Sequence, residues 1–148
     1  MQKSILAATL VAGTLDILAA MGLTLYFGGK VPNMLRYVAS GPFPGATEWG
    51  AGGAALGLAV HFALMAIMVV IFFLAMRQWP QMAGSPLLWG VIYGLLTYVA
   101  MNLVVVPLRF GGFPPSTRSI VTQLFCHIVL VGVPIAVIAA RYFKGRLL

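Results

Sequence analysis

Four long apolar runs, residues 4–27, 49–76, 86–107 and 119–140, take up most of this chain and leave little else from which to build a fold. Each supplies the roughly 20 apolar residues that an α-helix needs to cross the hydrocarbon core of a bilayer. Backbone polar groups in lipid must be satisfied within the protein, so a spanning segment is a helix or a strand of a closed barrel. Barrel strands would be about half this length and would alternate apolar with polar residues. The runs therefore predict an all-α protein, a single integral membrane domain over residues 1–148 that folds as an up-down bundle of four transmembrane helices.

Composition supports that class. The chain is 61% hydrophobic and 7% charged, against roughly 25% charged residues in a soluble domain. The first run, with Lys3 ahead of it and Ala19 and Ala20 near its end, imitates a secretion signal, but Asp16 inside it argues for a retained first helix. The lone Cys126 has no partner in the chain and reads as a small buried apolar residue.

Lys3, Arg77, Arg141, Lys144 and Arg146 fall on one face of such a bundle, and Lys30, Arg36, Arg109 and Arg118 on the other. The C-terminal basic cluster favours cytoplasmic termini for this multi-pass chain by the positive-inside rule. The net charge of +7 is explained by anionic lipid headgroups and calls for no nucleic acid.

Ionisable groups inside the runs are the informative exceptions. Such groups are costly in lipid and commonly face the bundle interior, pair, or hold a ligand. Asp16, His61, Asn102 and His127 all lie about 13 to 16 residues from the face that carries the termini, which at roughly 1.5 Å per residue puts them within about 5 Å of one depth. They form a candidate polar layer. Gly50, Gly53, Ala54, Gly57 and His61 share one face of the second helix, and Gly90 and Gly94 form a similar pair on the third. Both patterns allow close backbone approach.

The first and third loops are rich in helix breakers, and each carries Phe-Gly-Gly, at Phe27 to Gly29 and at Phe110 to Gly112. Residues 31–40 predict a short interfacial helix, and Arg36, Arg109 and Arg118 beside aromatics suit contacts with anions or lipid. The shared motif, followed in each half by a helix bearing one histidine, suggests a parallel tandem repeat of two helical hairpins.

Val38-Ala-Ser-Gly41, Leu56-Gly-Leu-Ala-Val-His-Phe62, residues 90–102, Val106-Pro-Leu108 and residues 127–136 together carry a resemblance. On these segments, which span most of its length, the chain resembles a group of small four-helix bacterial inner-membrane proteins of uncharacterised function. The resemblance implies the topology and no activity. It also implies a small residue such as Ser after the Pro-Leu pair, where this chain carries Arg109.

Three functions fit these residues. An accessory or structural subunit of a homo-oligomer or larger membrane complex would use the polar layer to fix helix register. A proton- or ion-coupled carrier would use Asp16 and His61 as a pair whose proton affinity is set by desolvation and mutual attraction, with Thr14, Thr97, Tyr98 and Asn102 extending a path. A bis-histidine electron-transfer protein would bind haem b between His61 and His127, on helices diagonal in a simple bundle, with small residues making room and the loop arginines meeting the propionates. Met65, Met68 and Cys126 with the histidines would suit a soft metal such as Cu(I), and the loops could cover a lipid or quinone. Enzyme signatures are absent: there is no phosphate-binding glycine loop, no His-Glu-x-x-His, no Cys-x-x-Cys and no paired carboxylates. Glu48, the only acid besides Asp16, is expected to open the second helix against its dipole.

Overall fold

The computed structural model describes residues 1–111 and 116–145. Gly112 of the second Phe-Gly-Gly motif and Arg146 of the terminal cluster lie outside them. Four helices are long and apolar enough to cross a membrane: α1 (Gln2–Tyr26), α3 (Gly50–Gln78), α4 (Pro86–Phe110) and α5 (Thr117–Lys144). Between the first two lies α2 (Val31–Ser40), the predicted short helix, and no strand occurs among the described residues. Three-residue-per-turn segments at Pro44–Glu48 and Pro80–Gly84 complete the connections, so Glu48 closes a turn ahead of α3 rather than opening the helix.

Each Phe-Gly-Gly motif stops a helix. Gly28 after α1 and Gly111 after α4 take φ values of 76° and 72°, the left-handed conformation that glycine adopts without penalty at a helix end. α2 carries Val31, Met34, Leu35 and Val38 at helical spacing on one side, a stripe suited to lie against another helix. It lies on α3. A Cβ at Gly57 would overlap the carbonyl of Leu35, and one at Gly53 would overlap that of Ala46. The glycine strip of α3 is therefore covered by α2 and its following turn, not by a spanning helix.

The half of the bundle nearest the termini is tightly closed. Ala8 and Ala12 of α1, Met65, Val69, Phe72, Phe73 and Met76 of α3, and Val131, Ile135, Ala136, Ala139 and Ala140 of α5 form its core. Lipid tails are as apolar as these side chains, so close packing and not water exclusion holds the helices together. The alanines of α5 let the aromatic face of α3 approach, and α3 and α5 touch here rather than standing diagonally apart. Helix α4 joins by the Tyr93 hydroxyl, which donates to Met68 O at 2.7 Å. Gly90 and Gly94 meet Gly132 and the backbone at His127 so closely that a Cβ at any of the three glycines would collide.

Both helices of the second hairpin widen at mid-depth. Val99–Val105 in α4 and Cys126–Gly132 in α5 are π-helical, with the Val106 amide bonding to Met101 O and the Val133 amide to Ile128 O, five residues back. A Val-Pro pair follows each: Val106-Pro107 and Val133-Pro134. Proline has no N–H for the carbonyl four residues back, here Leu103 and Leu130, and its ring crowds that carbonyl. A wider turn relieves the clash.

Candidate functional site

The closed core ends where the helices part, and the space beneath α2 is a cavity of about 330 Å3. Asp16, His61, Asn102 and His127 all line it, so the four members of the predicted layer meet at one place. Gln123 joins them from α5, Met34, Tyr37 and Val38 of α2 form the roof, and Met65, Met68 and Met101 contribute thioether walls. A recess of about 400 Å3 between α1 and the start of α5 shares Ala20, Met34 and Gln123 with it, so the two adjoin on the face that carries α2.

The two histidines are held in opposite ways. His127 is buried, with Nε2 at 3.1 Å from Asn102 Nδ2 and Nδ1 at 3.2 Å from Thr97 Oγ1. Thr97 gives its hydroxyl proton to Gly94 O at 3.0 Å and can only accept from the ring, so Nδ1 carries the proton and Nε2 accepts from Asn102. Every hydrogen-bonding atom of this neutral imidazole is occupied. Asn102 and His127 both stand on the π-helical segments, so this bond joins the two widened turns.

His61 remains open on one side. Its Nε2 donates to Gly13 O at 2.9 Å, as it must with a carbonyl partner. Nδ1 then faces Asp16 Oδ2 at 4.0 Å, with 12% and 23% of the two side chains exposed. At that separation one bridging water or a small side-chain rotation completes a hydrogen bond. Among the described residues the Asp16 carboxylate accepts no other polar contact. Thr14, expected to extend this path, is exposed on the outer side of α1, because two residues along a helix turn the side chain well away from Asp16.

Donor chemistry decides the haem question. Both nitrogens of His127 and one of His61 are taken, and the glycine strip expected to admit a macrocycle is filled by α2. These residues do not fit a bis-histidine haem. Cys126 lines a separate recess with Ala19, Val121 and Phe125 and is not on the cavity, and no group of three His, Cys, Asp or Glu gathers among the described residues.

The loop arginines divide as well. Arg109 donates from Nε to Gly41 O and from Nη2 to Ser40 O. Arg36 donates to Asn33 Oδ1 at 2.6 Å. Arg118 lies over the Phe27 ring at 5.0 Å and lines the adjoining recess, where it remains available to an anion or lipid headgroup. Sequence reasoning placed Met65 and Met68 beside His61 by helical spacing but missed Gln123, Met34 and Met101, which reach the cavity from other helices. No family model, curated protein or solved structure matches the chain.

Proposed function

We propose that this small integral membrane protein is a carrier that binds a proton at the Asp16–His61 pair, reached from the face bearing α2, in a bacterial inner membrane with both termini cytoplasmic. The observation that carries the reading is the unsatisfied side of the pair: a carboxylate and an imidazole nitrogen face each other across 4.0 Å in an accessible cavity, while the other nitrogen is pinned to Gly13 O. A neutral His61 in that tautomer offers Nδ1 as acceptor. An entering proton forms an N–H bond there beside the carboxylate, or an O–H bond on Asp16 that donates back to Nδ1. Passage to the opposite face requires the core at Met65 and Val69 to part, as alternating access demands.

A second reading draws on the other half of the layer. The set of His127, Asn102, Thr97 and Gly94 satisfies both ring nitrogens and pins α4 to α5, as expected of an accessory subunit in a homo-oligomer or larger complex.

Proton flux into liposomes separates the two. With an imposed pH gradient and a trapped pH-sensitive dye, the carrier reading expects flux in the wild type that Asp16→Asn and His61→Gln abolish. A wild type no leakier than empty liposomes, with co-purifying subunits, supports the accessory role instead.

A further inference from the structure

Resting on the reading of Asp16–His61 as the proton site, we infer that the cavity binds a small protonated amine with an apolar body, its ammonium group seated against Asp16. Hydrogen-bond supply makes the first argument. The Nε2 proton of His61 is committed to Gly13 and the Nδ1 proton of His127 to Thr97, and one amide proton of Asn102 goes to His127. What faces the cavity unengaged leans to acceptors: both oxygens of Asp16, Nδ1 of His61 and the amide oxygens of Asn102 and Gln123, against the second amide proton of Asn102, the two of Gln123 and the hydroxyl proton of Tyr37, none of which carries charge. An acceptor-rich site takes a donor-rich ligand, and an ammonium carries up to three donors with no acceptor.

Charge gives the same answer. Asp16 is the sole carboxylate within the spans, and no Lys or Arg lines the cavity. An anion would meet Asp16 without compensation in a poorly solvated place, whereas a cation replaces the proton that the pair otherwise holds. The groups around Asp16 are His61 from α3, His127, Gln123 and the Cys126 thiol from α5, Asn102 from α4 and Tyr37 from α2. Of these, among the described residues, only His61 stands within ion-pair range of the carboxylate.

Size and wall chemistry select an organic cation over a metal ion. The volume of about 330 Å3 lies at the small end of ligand pockets, roughly 300 to 1,000 Å3, and is far wider than a bare ion requires. Four methionines, Met34, Met65, Met68 and Met101, line it from three helices. Thioether chains repack around apolar bodies of differing shape.

Calorimetric titration of the detergent-purified full chain at pH 7 tests this, with 2-phenylethylammonium as probe and 3-phenylpropionate as its anionic counterpart. The expected result is one saturable site per chain for the ammonium, no binding of the carboxylate, and at least a tenfold loss of ammonium affinity in Asp16→Asn. Asp16→Glu, which keeps the charge, is expected to bind within a few fold of wild type. Repeating the titration in buffers of different ionisation enthalpy is expected to show proton release on binding. Equal affinity for both probes, or an Asp16→Asn affinity equal to wild type, overturns the inference. If Asp16→Asn does not fold, discrimination between the probes by the wild type decides the matter. Asp16-dependent flux without ammonium binding would remove the amine and leave the proton carrier standing; ammonium binding without flux would do the reverse.

Discussion

Arg109 caps the last turn of α2, with its Nε 2.8 Å from Gly41 O and its Nη2 2.9 Å from Ser40 O. The cation meets carbonyls at the negative end of the α2 dipole, and Phe110 beside it stacks on Tyr37 with ring centres 4.3 Å apart. Arg109 thus ties the cavity roof to α4.

Arg109→Ala should therefore loosen the roof without disturbing the bundle. Hydrogen bonds to a charged donor contribute roughly 1.5 to 3 kcal/mol when sheltered; with Arg109 exposed, about 1 kcal/mol of stability is expected to go. In a Cys126→Ser background, Cys introduced at Met34 is expected to react several-fold faster with a membrane-impermeant thiol reagent once Arg109 is removed. Unchanged reaction rates would mean that the latch does not control access.

Two glycines of α3 should behave oppositely. Gly57→Ala puts a methyl into the Leu35 carbonyl, while Gly52→Ala meets nothing within 4 Å. Overpacking against backbone costs about 1 to 3 kcal/mol, so Gly57→Ala is expected to lower the melting temperature and expose α2 to protease. Gly52→Ala should be neutral or stabilising by up to about 1 kcal/mol, the helix advantage of Ala over Gly. Equal melting temperatures for the two variants would contradict the docking of α2.

The polar layer should separate by function. Asn102→Leu removes the partner of His127 Nε2 and is expected to cost about 0.6 to 1.7 kcal/mol, the range for interhelical hydrogen bonds in membranes, while proton flux persists. Asp16→Asn should do the opposite, with flux lost and the melting temperature nearly unchanged. Denaturation midpoints and liposome flux measured on the same preparations check the crossover.

Alkaline pH should act on the roof. Burial holds the Tyr37 phenol above its ordinary value of 10.0, with the nearby Arg109 opposing. The folded state thus favours the neutral phenol. Its contribution is whole below pH 10 and fades as pH rises through the higher folded value. Ultraviolet titration of wild type minus Tyr37→Phe is expected to give a tyrosinate midpoint above 10, and a midpoint at or below 10 would show that the phenol is not sheltered.

Sequence made the spans legible because lipid allows so few solutions, and residue counting placed Asp16, His61, Asn102 and His127 at one depth because helical rise is nearly constant. Facing was not legible, as Thr14 shows by pointing outward two positions from Asp16. Nor was the division between a closed His127 and an open His61, which depends on Thr97 and Gly94 lying one helix away. Pro107 and Pro134 were visible signs of irregular helices, yet a proline does not say whether a helix bends, breaks or widens. The Gly53 and Gly57 strip announced a close neighbour, but identifying it as α2 needed the chain to fold back.

The glycine crossing of α4 and α5 gives the second hairpin a fulcrum. Arg109 stands about 28 Å along α4 from Gly90 at roughly 1.5 Å per residue, whereas Gly94 is only about 6 Å away. A tilt of about ten degrees about Gly90 therefore carries the latch through about 5 Å and moves Gly94 by about 1 Å. Leverage of this kind lets the mouth of the cavity change width while the root of the hairpin keeps its packing.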